Sequence, residues 1–189
     1  MEFEAFRNKK IKVGEYVLMI IPATMEYAKE IFKIVSQDEK NMIFWMPNGL
    51  YKSPEEVLLD YSRRPNRKQF LMFGIFDGDE FLGEIGFSNI MWNTGVAELG
   101  YWLKKSARGC GVISNLFPEI EQMGFGYFGF RKLVITSDTE NMASRAIAEK
   151  FNYVQEGTLR AEGIWPNGSV RDKIRYSKLK AEWEKEKVK

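Results

Sequence analysis

The sequence predicts an α+β domain built around one mixed β-sheet. Two patterns and a pair of helix starts lead there. Three β-prone runs between Gln69 and Leu103 follow one another through short turns, as an antiparallel meander does. A helical segment after Gly111 then separates the run Val96 to Leu103 from another at Lys132 to Thr136, which is the pattern of a β-α-β crossover. Ser53 and Asn141 stand where side chains can cap a helix.

Taken in order, Tyr16 to Ile21 is a short apolar strand ended by Pro22. Thr24 caps a helix from about Met25 to Val35, whose Ala28, Ile31, Phe32 and Val35 share one face. A loop of large side chains follows, from Met42 through Phe44, Trp45 and Met46 to Pro47. Ser53-Pro54-Glu55-Glu56 sets a cap, a first-turn proline and two carboxylates at the positive end of a helix running to about Arg64. Gln69 to Phe76 and Glu80 to Ile90 form a hairpin through Asp77-Gly78-Asp79, and Asn93-Thr94-Gly95 turns into Val96 to Leu103. The next helix carries Val112, Leu116, Ile120 and Met123 on one face, with Pro118 expected to kink it or weaken one turn. Lys132 to Thr136 reads as a buried strand, and Asn141 opens a helix to Lys150. A strand from Val154 turns at Pro166-Asn167-Gly168 and returns through Val170 to Leu179. The run Glu184-Lys185-Glu186-Lys187 suits a solvated helix end. There is no repeat, linker or shift in composition, so residues 1–189 are expected to form a single domain.

Composition removes several classes of function. The formal charge of +2 and the lack of a basic block give no footprint for nucleic acid. No apolar run approaches the ~20 residues that span a bilayer. The chain has no histidine, which excludes a Ser-His-Asp triad and a Cys/His zinc site, so no metal is expected. Acid-base chemistry is left to carboxylates, hydroxyls, lysine, backbone or water. Cys110 is the one cysteine, so no internal disulfide forms and a reducing cytoplasm is the expected compartment.

Two segments carry the chemistry. In Arg108-Gly109-Cys110-Gly111, between a strand and a helix, glycines allow a tight turn and a close backbone approach to a ligand. The first helical N–H groups are free for an anion, and Arg108 adds a permanent charge. The same residues also suit a plain strand-to-helix turn. Asn141-Met142-Ala143-Ser144 offers a second helix start, where Asn141 serves as a cap and Ser144 as a surface hydroxyl or something more.

Together these segments resemble the ribosomal-protein N-acetyltransferase branch (RimJ/RimL-like) of the GNAT superfamily. The resemblance runs through Glu98 to Leu103, Arg108 to Val112, Asn141 to Lys150 and Glu156 to Arg160, and the Trp45-Met46-Pro47 loop and Asp172, Tyr176 and Trp183 fit it. It implies a three-layer α/β/α fold whose mostly antiparallel sheet is splayed between its fourth and fifth strands, with helices on both faces. It also implies acetyl-CoA as co-substrate, bound by Trp102, Leu103, Arg108, Gly109, Cys110, Gly111, Val112, Asn141 and Ser144. Three positions depart from the pattern: Ser106 replaces a Gln or Arg, Asn152-Tyr153 replaces Gly-Phe, and no tyrosine stands near Ala148 to serve as acid.

The implied reaction is direct acetyl transfer to a primary amine in a ternary complex. Glu98 shares a strand face with Gly100 and Trp102 and is the candidate base; its other reading is a charge on the solvent face. Ser144 is the candidate hydrogen-bond donor to the departing thiolate, and a backbone N–H near Trp102 or Leu103 is expected to polarise the thioester oxygen. Cys110, set in the loop, is expected to be a tolerated small residue rather than a nucleophile. The acceptor pocket is expected to draw on Phe44, Trp45, Met46, Glu98 and Trp165. The acceptor is a protein N-terminus or a small amine such as a polyamine or an antibiotic. A homodimer and a non-catalytic acyl-CoA sensor are the alternatives left open.

Overall fold

The computed structural model describes residues 3–6, 9–42, 44, 50–64, 67–165 and 168–188. Its strands are β1 (Ile11–Val13), β2 (Tyr16–Met19), β3 (Leu71–Asp77), β4 (Glu80–Met91), β5 (Val96–Leu103), β6 (Lys132–Asp138), β7 (Val154–Ile164) and β8 (Val170–Leu179). Its helices are α1 (Met25–Gln37), α2 (Glu39–Met42), α3 (Pro54–Arg63), α4 (Val112–Glu121), α5 (Met142–Lys150) and α6 (Lys180–Lys187). One sheet contains all eight strands in the order β1-β2-β3-β4-β5-β6-β8-β7. Among the described residues only β5 and β6 pair in parallel, as their helical crossover requires.

The caps act as the sequence indicates. Thr24 Oγ1 accepts from the Tyr27 amide at 3.4 Å, Ser53 Oγ from Glu56 at 3.4 Å, and Asn141 Oδ1 from Ser144 at 3.2 Å. Glu56 also reaches back to the Lys52 amide at 2.8 Å, which seats two free amides at the start of α3. α4 differs from expectation. Its α-helical turns run through Pro118, then widen over Gln122–Tyr127 into a π-helix. β1 was not visible in the sequence, because three residues are too few to show an alternating pattern. With β1 counted, the fourth and fifth strands of the expected sheet are β5 and β6. α6 is more than a solvated end: Trp183 is buried against Phe125, with ring centroids 5.3 Å apart.

The sheet is covered on both sides. One core packs α4, α5 and α6 onto Leu99, Leu103, Leu133, Ile135, Ile174 and Tyr176. The other packs α1 and α3 onto Phe76, Phe81 and Trp102. Side chains alternate along β5, so Leu99, Tyr101 and Leu103 face the first core while Glu98, Gly100 and Trp102 face the second side.

Candidate active site

β5 and β6 pair over only three positions: Val96 with Lys132, Ala97 with Leu133, and Glu98 with Val134. Beyond Glu98 the strands part, and the space between them is a cleft of about 560 Å³. Leu99 to Leu103 form one wall and Ile135 to Ser137 the other. The remaining lining comes from the loop after β5, the start of α4 and the start of α5. In a continuous sheet the peptide groups along this gap would bond to each other. The Lys104 amide bonds to the Leu82 carbonyl at 2.8 Å, so by antiparallel alternation Trp102 turns its peptide group to β4, and Tyr101 and Leu103 turn theirs to the cleft.

At one end of the cleft the chain turns into α4. Gly109 and Gly111 have φ of +76° and +80°, a region that costs other L-residues about 1–2 kcal/mol each. Gly111 caps α4 without a side chain, and the first intrahelical bond runs from the Asn115 amide to its carbonyl at 2.9 Å. The amides of Val112, Ile113 and Ser114 therefore precede the ladder and are free for an anion. A Cβ on Gly109 would meet nothing within 4 Å, so the outer side of the turn is open to a ligand. The expected set divides here: Arg108, Gly109 and Gly111 line the cleft, Val112 is buried core, and Cys110 is exposed outside the lining.

Arg108 lines the cleft with its guanidinium held by protein contacts. Its Nε and Nη2 donate to the Leu103 carbonyl at 2.9 and 2.7 Å, and Nη1 forms an ion pair with Asp38. It fixes the far end of β5 and ties the end of α1 to the turn.

Midway along the cleft, Ser144 Oγ lies 3.1 Å from Tyr101 Oη, which is also 3.3 Å from the Ser144 carbonyl. Burial pushes the Tyr101 hydroxyl's pKa up, and the hydrogen bond to Ser144 offsets only part of this. The phenol stays protonated near neutral pH. If Tyr101 donates to Ser144, the Ser144 proton can point into the cleft. Asn141 lines the same region while capping α5. Trp102 lines the cleft, but its indole is core and donates to Glu84 Oε2 at 2.9 Å.

Glu98 stands at the last paired row, half-buried and outside the cleft lining, with Asn89 donating to it at 2.7 Å. On the same side of the sheet, farther along, Phe44 meets Trp165 edge to face at 5.6 Å. Trp165 carries Arg171 over its ring at 4.6 Å, and both donate to Asp138. Trp45 and Met46 lie outside the described residues. The structure adds three residues that the sequence reading passed over: Tyr101, Asp38 and Thr136. Alternation along β5 points Tyr101 toward the helix that follows, but nothing local announces its partner.

The GNAT acetyltransferase domain family matches residues 18–154. The chain is 25% identical over 181 residues to a putative ribosomal N-acetyltransferase, YdaF, of Bacillus subtilis, covering 93% of this chain and 98% of that one. It is 34% identical over 108 residues to the ribosomal-protein-serine acetyltransferase of Escherichia coli, covering 57% and 60%. A solved structure of the microcin C7 self-immunity acetyltransferase MccE in complex with acetyl-CoA and AMP superposes with a TM-score of 0.76 at 24% identity, covering 93% and 99%. The match over most of the chain, on a sheet forked between β5 and β6, makes this protein a member of the GNAT acetyltransferase family.

Proposed function

We propose that this acetyltransferase moves the acetyl group of acetyl-CoA directly to a primary amine, with a protein N-terminus as the leading acceptor. The observation that carries the reading is the fork after Glu98, which opens a cleft lined by a positive-φ glycine turn and a half-buried hydroxyl pair. The free amides at the start of α4 and the positive-φ glycines suit a pyrophosphate. Acetyl-CoA in the MccE structure, the ribosomal-protein acceptor in the name of the serine acetyltransferase and the ribosomal N-acetyltransferase name of YdaF support the choice of substrates. Acetyl-CoA supplies an activated thioester. The chain supplies the rest.

The Leu103 and Tyr101 amides turn toward the cleft, where a carbonyl oxygen gaining charge benefits from fixed donors. The Tyr101 and Ser144 hydroxyls supply a proton or a hydrogen bond to the departing thiolate. Glu98 takes the amine proton, directly or through a water, from its place at the base of the fork. Cys110 lies outside the cleft lining, so attack is direct. A thioester-cleavage assay with acetyl-CoA and a panel of amines tests the reading. It predicts release of CoA only when an acceptable amine is present. Tight acetyl-CoA binding with no transfer to any amine would favour a sensor instead.

A further inference from the structure

The side of the sheet that holds Glu98 also holds two buried donors without a protein partner. Thr136 lies on β6 two residues beyond Val134, so it shares that residue's face, and it lines the cleft. Arg175 stands directly opposite on β8. Thr136 Oγ1 and Arg175 Nε are both buried with no hydrogen-bond partner. Buried polar groups are nearly always paired, so two adjacent orphans ask for a missing acceptor. Nε can only donate; Oγ1 can donate or accept, and it does not accept from Nε here.

The neighbouring carboxylates are already engaged. Glu156 accepts from Lys132 Nζ at 2.6 Å and Ser177 Oγ at 2.8 Å. Asp138, next along the face, accepts from Arg171, from Trp165 Nε1 and from the Glu140 amide. Arg175 adds its charge to those that hold the Glu156 carboxyl below its ordinary pKa, yet its Nε meets no acceptor. The row of Thr136 and Arg175 lies two residues from the row of Glu98 and Val134, roughly 7 Å along the strand. One small group with a nitrogen at one end and an oxygen at the other can reach side chains from both rows.

We propose that Thr136 Oγ1 and Arg175 Nε form a subsite for an oxygen of the acceptor, the carbonyl or carboxylate oxygen one carbon removed from the reacting amine. The proposal rests on the acetyl-transfer reading above and adds a determinant of specificity to it. An alkylamine or polyamine has no such oxygen and leaves both donors unpaired. A site with buried groups built to hydrogen-bond a substrate discriminates strongly against an analogue that lacks the partner.

The test uses three amines that differ in this oxygen: a dipeptide amide, the free amino acid of its first residue, and the alkylamine without the carbonyl. The parent protein is expected to favour the better oxygen-bearing amine over the alkylamine by about 10- to 100-fold in kcat/KM. Thr136→Val and Arg175→Met should each shrink that ratio about tenfold or more, and Arg175→Lys, which keeps the charge but lacks Nε, should not restore it. Amide against acid tells a carbonyl from a carboxylate. Calorimetric CoA affinity equal to the parent's certifies that each variant is folded. Binding of the dipeptide amide and the amino acid to the CoA-loaded protein reads the subsite without turnover. Weaker binding by Thr136→Val supports the subsite even if no transfer occurs, a result that would sink only the transfer reading. Equal binding, or a parent ratio near one, overturns the subsite.

Discussion

Tyr101 Oη and Ser144 Oγ lie 3.1 Å apart, and this contact joins β5, on one arm of the forked sheet, to α5, which follows the other arm. The two hydroxyls meet where the strands between them have lost their own pairing. Fixed donors in such a gap need no rearrangement as charge develops.

The pair should act as a unit. Tyr101→Phe and Ser144→Ala are each expected to lower kcat about 100-fold with acetyl-CoA affinity little changed. The double variant should be little worse than either single one, because each hydroxyl works through the other. Steady-state kinetics on one good amine, with calorimetry for acetyl-CoA, checks this. Fully additive losses would give the two residues separate roles.

Gly111→Val should weaken CoA binding at least about tenfold. A branched residue at φ +80° strains the start of α4 by about 1–2 kcal/mol, and its side chain hinders the approach of a phosphate to the free amides. A thermal melt alongside calorimetry separates strain from lost contact. The melt should fall by a few degrees. An unchanged CoA affinity in the folded variant would remove the turn from the binding site.

Glu98→Gln is expected to slow transfer by about 10²- to 10⁴-fold near neutral pH while leaving CoA affinity intact, because Glu98 is outside the cleft lining. The loss should shrink as pH rises, since more of the amine is then deprotonated in solution. Rates measured across pH for both proteins decide the point. Equal rates throughout would leave Glu98 as a surface carboxylate held by Asn89.

Asp60 predicts an acid-sensitive brace. Burial raises its carboxyl pKa, but Arg64, the Tyr51 hydroxyl and Arg67 together outweigh burial and hold it below the ordinary value. The ionised group is therefore more stable folded than unfolded. Its contribution is present above the unfolded pKa of about 3.9 and is lost as pH falls through the lower folded value. Asp60→Asn should be less stable than the parent at neutral pH, and the gap should narrow below about pH 4. Denaturant midpoints from pH 7 to pH 3 measure it. A constant gap would show that the ion pairs at Asp60 contribute nothing that titrates.

Much of the fold was legible because it is written locally. Ser53 and Asn141 cap their helices by contacts three residues away, and β5 runs over Val96–Leu103 as its pattern indicates. The site was legible in part. The turn at Gly109 and Gly111 and the hydroxyl of Ser144 came from sequence, as did Arg108, whose contacts to the Leu103 carbonyl and Asp38 did not. Glu98 came with the right strand and side, but its distance from the cleft lining did not.

The sequence by itself determined the longer helices and strands, where the glycine turn falls, and that no histidine or internal disulfide takes part. Those properties follow from capping, alternation and composition, which act over a few residues or over none. Tertiary structure alone decided that pairing between β5 and β6 stops at Glu98, that Tyr101 meets Ser144, and that Thr136 faces Arg175. Each of these depends on strand register between distant segments. Register is chosen by the packing of the whole sheet, so a hydroxyl or a guanidinium has no stated partner until the sheet is assembled.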